Sequence, residues 1–261
     1  MPADVVLLES TYGDRDHRSL GETRDELLEI LESAQATGAK VLIPAFALGR
    51  TQDLVFHIGE FVRAGRLPGL RVYVDSPMAT AVSKNYAFHT DVYDERARQL
   101  LADDLSPLRF PGLTYIGSPE ESKRLNDAKG MMVIIASSGM CTGGRIVHHL
   151  YHNLSNPRTH VVIVGFQGQG TLGRRLVNGD RVVRIFRNDV QVRAKVHTLG
   201  GFSAHAGQSG LLHWAEPFRE SRPRVFLTHG EDGPRGVLRQ QLSARLGLEA
   251  GLPGYGDSVE I

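Results

Sequence analysis

Short apolar runs rich in β-branched residues alternate with amphipathic stretches over most of this 261-residue chain, and that alternation limits its fold more than any other feature. Val5–Leu8, Lys40–Phe46, Arg71–Val74, Leu113–Ile116, Met131–Ala136, His160–Val164 and Arg224–Thr228 read as strands. Between them lie helical patterns with identifiable ends. Overlapping capping boxes, Ser19-x-x-Glu22 and Thr23-x-x-Glu26, open a helix carrying Leu27, Ile30, Leu31 and Ala34 on one face, and Gly38 closes it. Ser118-Pro119-Glu120-Glu121 supplies an N-cap serine, a proline in the first turn and a capping-box glutamate. Such alternation predicts an α/β fold with a mostly parallel sheet.

The pattern breaks after Gly179. Arg181–Phe186 and Val190–Thr198 flank the turn Arg187-Asn188-Asp189 and predict a hairpin. A helix with Leu238, Leu242 and Leu246 and a final strand near Val259 complete the expected elements. Composition adds exclusions. One cysteine, Cys141, forbids an internal disulfide or a cysteine-based zinc ribbon. No apolar run approaches the roughly 20 residues of a membrane span, and the expectation is a cytoplasmic protein without a membrane partner. Of 30 cationic residues 25 are arginine, which suits a phosphate-rich partner and equally follows from arginine-biased codon usage.

Three candidate residues stand where α/β enzymes place chemistry, at or just after strand ends. Glu9 opens Glu9-Ser-Thr-Tyr-Gly-Asp-Arg15; it can orient a histidine or a metal-bound water, or simply cap a helix. His205 follows Gly200-Gly201-Phe202-Ser203-Ala204 and suits general acid work, or is structural. His229 lies directly after an apolar strand and before Gly230, a rigid and open setting for a metal ligand. His148, His149, His152 and His197 read as packing or surface residues. Two glycine-rich stretches remain. Ser137-Ser138-Gly139-Met140 leads toward Arg145 and a helix, and is either a phosphate cradle or an ordinary turn. Gly168–Gly173 matches G-x-G-x-x-G and supports an alternative, a dinucleotide-binding α/β enzyme; too little helix follows it for a βαβ crossover.

Taken in order, Glu9–Arg15, Pro44-Ala-Phe-Ala-Leu-Gly-Arg-Thr-Gln52, Asp75-Ser-Pro-Met-Ala79, Ala136–Met140, Gly170-Thr-Leu-Gly-Arg174, Phe202-Ser-Ala-His205 and His229-Gly-Glu231 resemble the β-CASP nucleases of the metallo-β-lactamase superfamily. The resemblance runs over essentially the whole chain. It implies a Rossmann-like β-CASP domain over 20–180, a remnant of the metallo-β-lactamase domain over 1–19, and a C-terminal metallo-β-lactamase portion with an RNA-metabolising motif over 181–261, together a partial half-sandwich. It assigns Glu9 and His205 to catalysis, His229 to zinc, and Arg50, Ser137, Ser138, Gly139, Met140, Arg174 and Ser203 to RNA. The implied chemistry is two-zinc hydrolysis of a phosphodiester.

The family's main ligand run, H-x-H-x-D-H, does not occur in this sequence. The expectation is therefore the carboxy-terminal portion of a ribonuclease, inactive alone, holding no zinc stably and needing an N-terminal metallo-β-lactamase segment as partner. A stand-alone, non-catalytic RNA- or partner-binding module is the second reading. An apolar face left bare by that segment would favour a homodimer. Gly207 stands where relatives usually carry aspartate, which implies a different local cap.

Overall fold

The computed structural model describes residues 3–260. Its elements, in chain order, are β1 (Val5–Glu9), α1 (Leu20–Thr37), β2 (Lys40–Pro44), α2 (Arg50–Arg63), β3 (Val72–Val74), α3 (Pro77–Phe88), α4 (Glu95–Ala102), β4 (Leu113–Tyr115), α5 (Pro119–Asp127), β5 (Met132–Ala136), α6 (Arg145–Asn153), β6 (His160–Ile163), α7 (Leu172–Val177), β7 (Val182–Ile185), β8 (Asn188–Gln191), β9 (Lys195–Thr198), α8 (Gln208–Ala215), β10 (Arg224–Thr228), α9 (Asp232–Leu246) and β11 (Ala250–Gly251), with short 3-10 turns between some of them. Contacts divide the chain into two compact units: Ser19–Phe202, and the residues up to Arg18 together with those from Ser203 onward.

The larger unit is built on a six-stranded sheet, order β4-β3-β5-β2-β6-β9, every pair parallel. Alternate residues of its central strands feed two cores, as strands covered on both faces must. Val41, Ile43, Val133 and Ile135 meet Leu27 and Leu31 of α1 and Leu54 and Ile58 of α2. Leu42, Met132, Ile134 and Val161 meet Ile146 and Leu150 of α6. The helix ends follow local chemistry. Ser19 and Glu22 form a reciprocal capping box on α1, and Gly38 ends that helix at φ 63°. Thr23, the second sequence candidate for that cap, lies inside the helix and donates back to the Ser19 carbonyl (2.9 Å).

Three expectations change. The strand read as Val190–Thr198 is two strands: β8 pairs antiparallel with β7, while β9 joins the large sheet beside β6. The crossover that seemed too short therefore exists, running β6–α7–hairpin–β9, all within the larger unit. The last strand is Ala250–Gly251; beyond it Pro253 has no N–H to extend a ladder, Tyr255-Gly256 forms a turn, and residues around Val259 carry no regular structure.

The smaller unit carries a parallel three-stranded sheet, order β1-β10-β11. Val6, Leu8, Val225 and Leu227 pack with Leu211 and Leu212 of α8 and Leu238 and Leu242 of α9. Leu7 points the other way and is 68% exposed. Among the described residues no helix is long and apolar enough to cross a membrane.

Candidate active site

Register places the site. β1 and β10 pair so that Glu9 lies opposite Thr228, which puts His229 beside the residues that follow Glu9. An isolated parallel bridge between Tyr12 and Gly207, with the Gln208 N–H donating to the Arg15 carbonyl (2.9 Å), draws the His205 loop to the same strand ends. Glu9, some 200 residues before the two histidines in sequence, thereby joins His205 and His229 in offering ligand atoms that all lie within 4.8 Å of one another. Among the described residues they are the one group of three or more histidine, cysteine or acidic side chains so arranged.

Each is held. Glu9 Oε2 accepts from the Thr11 N–H (2.9 Å) and Oε1 from the Ala206 N–H (3.1 Å). Burial alone would raise the Glu9 pKa, but those hydrogen bonds and nearby His205 outweigh it and hold the carboxylate below its ordinary range. His205 Nδ1 lies 3.4 Å from Glu9 Oε2, and its ring stacks on His229 with centroids 5.0 Å apart. His229 adopts a left-handed backbone, φ 51°, a conformation of roughly 1–3 kcal/mol for a residue with a side chain. The Thr11 hydroxyl offsets part of that cost by donating to the His229 carbonyl (2.9 Å). Thr11 Oγ1 also lies 3.1 Å from His229 Nδ1 and 3.4 Å from His205 Nδ1; when its proton serves the carbonyl, His229 Nδ1 is the donor and Nε2 keeps a free lone pair. Gly230 completes the turn: a Cβ there would lie 2.4 Å from Ser10 Oγ and 2.6 Å from the Ser10 carbonyl.

Sequence reasoning missed Thr11 and Asp16. Thr11 stood inside the quoted Glu9 motif, but a hydroxyl two residues after a strand gives no hint of two distant histidines. Asp16 answers the question raised by Gly207. That glycine is the N-cap of α8 and has no side chain with which to cap it. Asp16 Oδ1 instead accepts from the Ser209 N–H and hydroxyl, both at 2.8 Å. A Cβ at 207 would lie 2.6 Å from that same oxygen, so the loop-borne carboxylate fills the place of the helix's own.

The residues expected at RNA are distributed between the units. Ser203 is in the smaller one, where its hydroxyl accepts from the His205 N–H (3.2 Å) and shapes the turn. The others lie at the carboxyl ends of β2, β5 and β6 or on the helices just beyond them. Arg50 pairs with Asp53 (2.8 Å), Ser137 Oγ donates to Ser76 Oγ (3.2 Å), and the Ser138 hydroxyl accepts from the Thr142 N–H (3.0 Å). Gly139 lies beneath the Phe46 ring, the Met140 carbonyl accepts from the Gly173 N–H (3.2 Å), and Arg174 lies over the Phe166 ring while donating to the Gln167 carbonyl (2.7 Å). Gly173, last of the G-x-G-x-x-G glycines, packs against Gln167, whose Oε1 a Cβ would meet at 1.6 Å; α7 behind it has six residues. His149, read as packing or surface, is fully buried and hydrogen-bonded to Asp75 (2.7 Å).

Residues 51–176 match the Beta-Casp domain model, and residues 189–253 match the Zn-dependent metallo-hydrolase RNA specificity domain. The chain is 44% identical over 259 residues to Ribonuclease TTHA0252 of Thermus thermophilus, a match covering 99% of this chain and 58% of that protein. It is 30% identical over 232 residues to an RNase J-like protein of Methanocaldococcus jannaschii, covering 87% and 52%. To the transcription termination factor FttA of Thermococcus kodakarensis it is 27% identical over 265 residues, covering 99% and 41%. The chain thus spans about half the length of the curated relatives it matches.

Proposed function

This chain belongs to the β-CASP family of metallo-β-lactamase-type RNA nucleases, and on that premise we propose that it is the β-CASP and RNA-specificity portion of a zinc-dependent ribonuclease, silent until further metal ligands join it. The observation that carries the reading is the convergence of Glu9, His205 and His229 within 4.8 Å. Two imidazoles and a carboxylate are donors that zinc accepts, and the free Nε2 of His229 on its braced turn suits a ligand. Three groups are too few for two ions. Zinc, when bound, supplies a Lewis acid and a water of lowered pKa.

The chain's own residues would do the rest. Glu9, kept ionised by its hydrogen bonds, orients the His205 ring 3.4 Å away. His205 then offers its other nitrogen as proton donor to the leaving oxygen. Arg50, Arg174 and the Ser137–Met140 loop hold the RNA backbone through charge and hydrogen bonds. Ser203 acts through the turn it shapes.

Elemental analysis after dialysis against a weak chelator, run beside an RNA hydrolysis assay, tests this. The expected result is well below one zinc per chain and no hydrolysis, with both gained on addition of a polypeptide carrying the missing ligand run. One or more tightly held zinc ions per chain, lost in His205→Asn, would instead make these three residues a self-sufficient metal site and overturn the assignment of roles.

A further inference from the structure

The larger unit contains a groove between α3 and the segment leading into β4, with a volume of about 640 Å³. That lies within the range of ligand sites, about 300–1,000 Å³. Its charge is one-sided. Lys84 and Arg109 line it, no carboxylate does, and neither cation forms an ion pair among the described residues. Two aromatic rings stand beside the cations. Phe88, at the end of α3, is 81% exposed. Tyr115 forms the wall, its hydroxyl committed to the Leu108 carbonyl at 3.1 Å.

An unpaired ammonium and guanidinium next to an exposed ring is the chemistry of a single-stranded nucleic-acid site: the cations meet phosphates and the ring takes a base. An acidic protein segment would use the charges but would have no need of the bare aromatic face. We propose that this groove is an RNA-tracking subsite, in which Lys84 and Arg109 bind backbone phosphates and Phe88 stacks on a nucleobase. It rests on the RNA reading above and extends it to a part of the larger unit that includes none of the residues assigned to RNA from the sequence.

The test is fluorescence anisotropy of the full chain with a labelled single-stranded RNA of non-self-complementary sequence, titrated at several salt concentrations with a chelator present to prevent hydrolysis. Phe88→Ala is expected to weaken binding about 5- to 150-fold, the range for loss of one stacked base, while Phe88→Tyr retains it. The double variant Lys84→Gln, Arg109→Gln is expected to flatten the slope of log affinity against log salt by about 1.4, two phosphates at about 0.7 each. Thermal midpoints, which these exposed positions should leave unchanged, verify folding. If the unaltered chain binds no RNA, the RNA reading falls and the groove with it. Binding that all three variants leave untouched overturns the groove alone. A flattened slope with Phe88→Ala silent and an acidic peptide competing would make the groove a docking site for protein, and would also overturn the proposal.

Discussion

Asp75→Asn tests how far one buried charge organises the larger unit. Asp75 is fully buried at the carboxyl end of β3 and accepts three hydrogen bonds: from Arg145 Nη1 at 2.6 Å on Oδ1, and from Ser122 Oγ at 2.5 Å and His149 Nε2 at 2.7 Å on Oδ2. Burial raises its pKa, but the hydrogen bonds from His149, Ser122 and Arg145 more than reverse that, and the carboxyl titrates below its ordinary value of 3.8. Asparagine keeps the shape and removes the charge. Its single carbonyl oxygen can serve Arg145 only by turning the amide N–H₂ onto His149 and Ser122, so at least one donor loses its acceptor. Breaking a buried pair from one side costs about 3–5 kcal/mol. At about 2–4 °C per kcal/mol for a unit of this size, the thermal midpoint of Ser19–Phe202 should fall by about 6–20 °C. Circular dichroism melts of Asp75→Asn beside Asp53→Asn, an exposed ion pair expected to contribute less than about 1 kcal/mol, provide the assay and its control. A drop no larger than that of the control would refute the reasoning.

Other outcomes follow from single features of the structure. Gly207→Asp should cost about 1–3 kcal/mol by crowding Asp16, and Asp16→Ala added to it should recover at least half, because either carboxylate alone can cap α8; chemical denaturation of the three proteins decides it. His160 is held neutral, its pKa lowered from 6.5 to about 4 by burial first and then by His197 and Lys195. The unfolded chain therefore takes the proton first, so stability is complete above about pH 6.5 and about 3 kcal/mol of it is lost as pH falls toward 4; His160→Gln should flatten that slope in urea titrations run across the range. Thr11→Val removes the donor to the His229 carbonyl and should cost about 1–3 kcal/mol, with altered His229 and His205 ring signals in NMR; unchanged signals would mean that the hydroxyl does not brace the turn.

Period and punctuation made much of the fold legible in the sequence. The β-branched runs of β2, β5 and β6 are continuous because both faces of a parallel sheet are covered, and the caps of α1 and α5 are written in four residues each. These are local signals, and local physics reads them. The identities of Glu9, His205 and His229 could be picked out through motif order. What no local signal contained was the register Glu9 opposite Thr228, the Tyr12–Gly207 bridge, the Thr11 brace and the exchange of an N-cap between Gly207 and Asp16. The same holds for β9, whose alternation continued smoothly from β8 and disclosed nothing of a change of sheet. Such facts depend on which distant segments hydrogen-bond, and that choice is made by the packing of the whole unit.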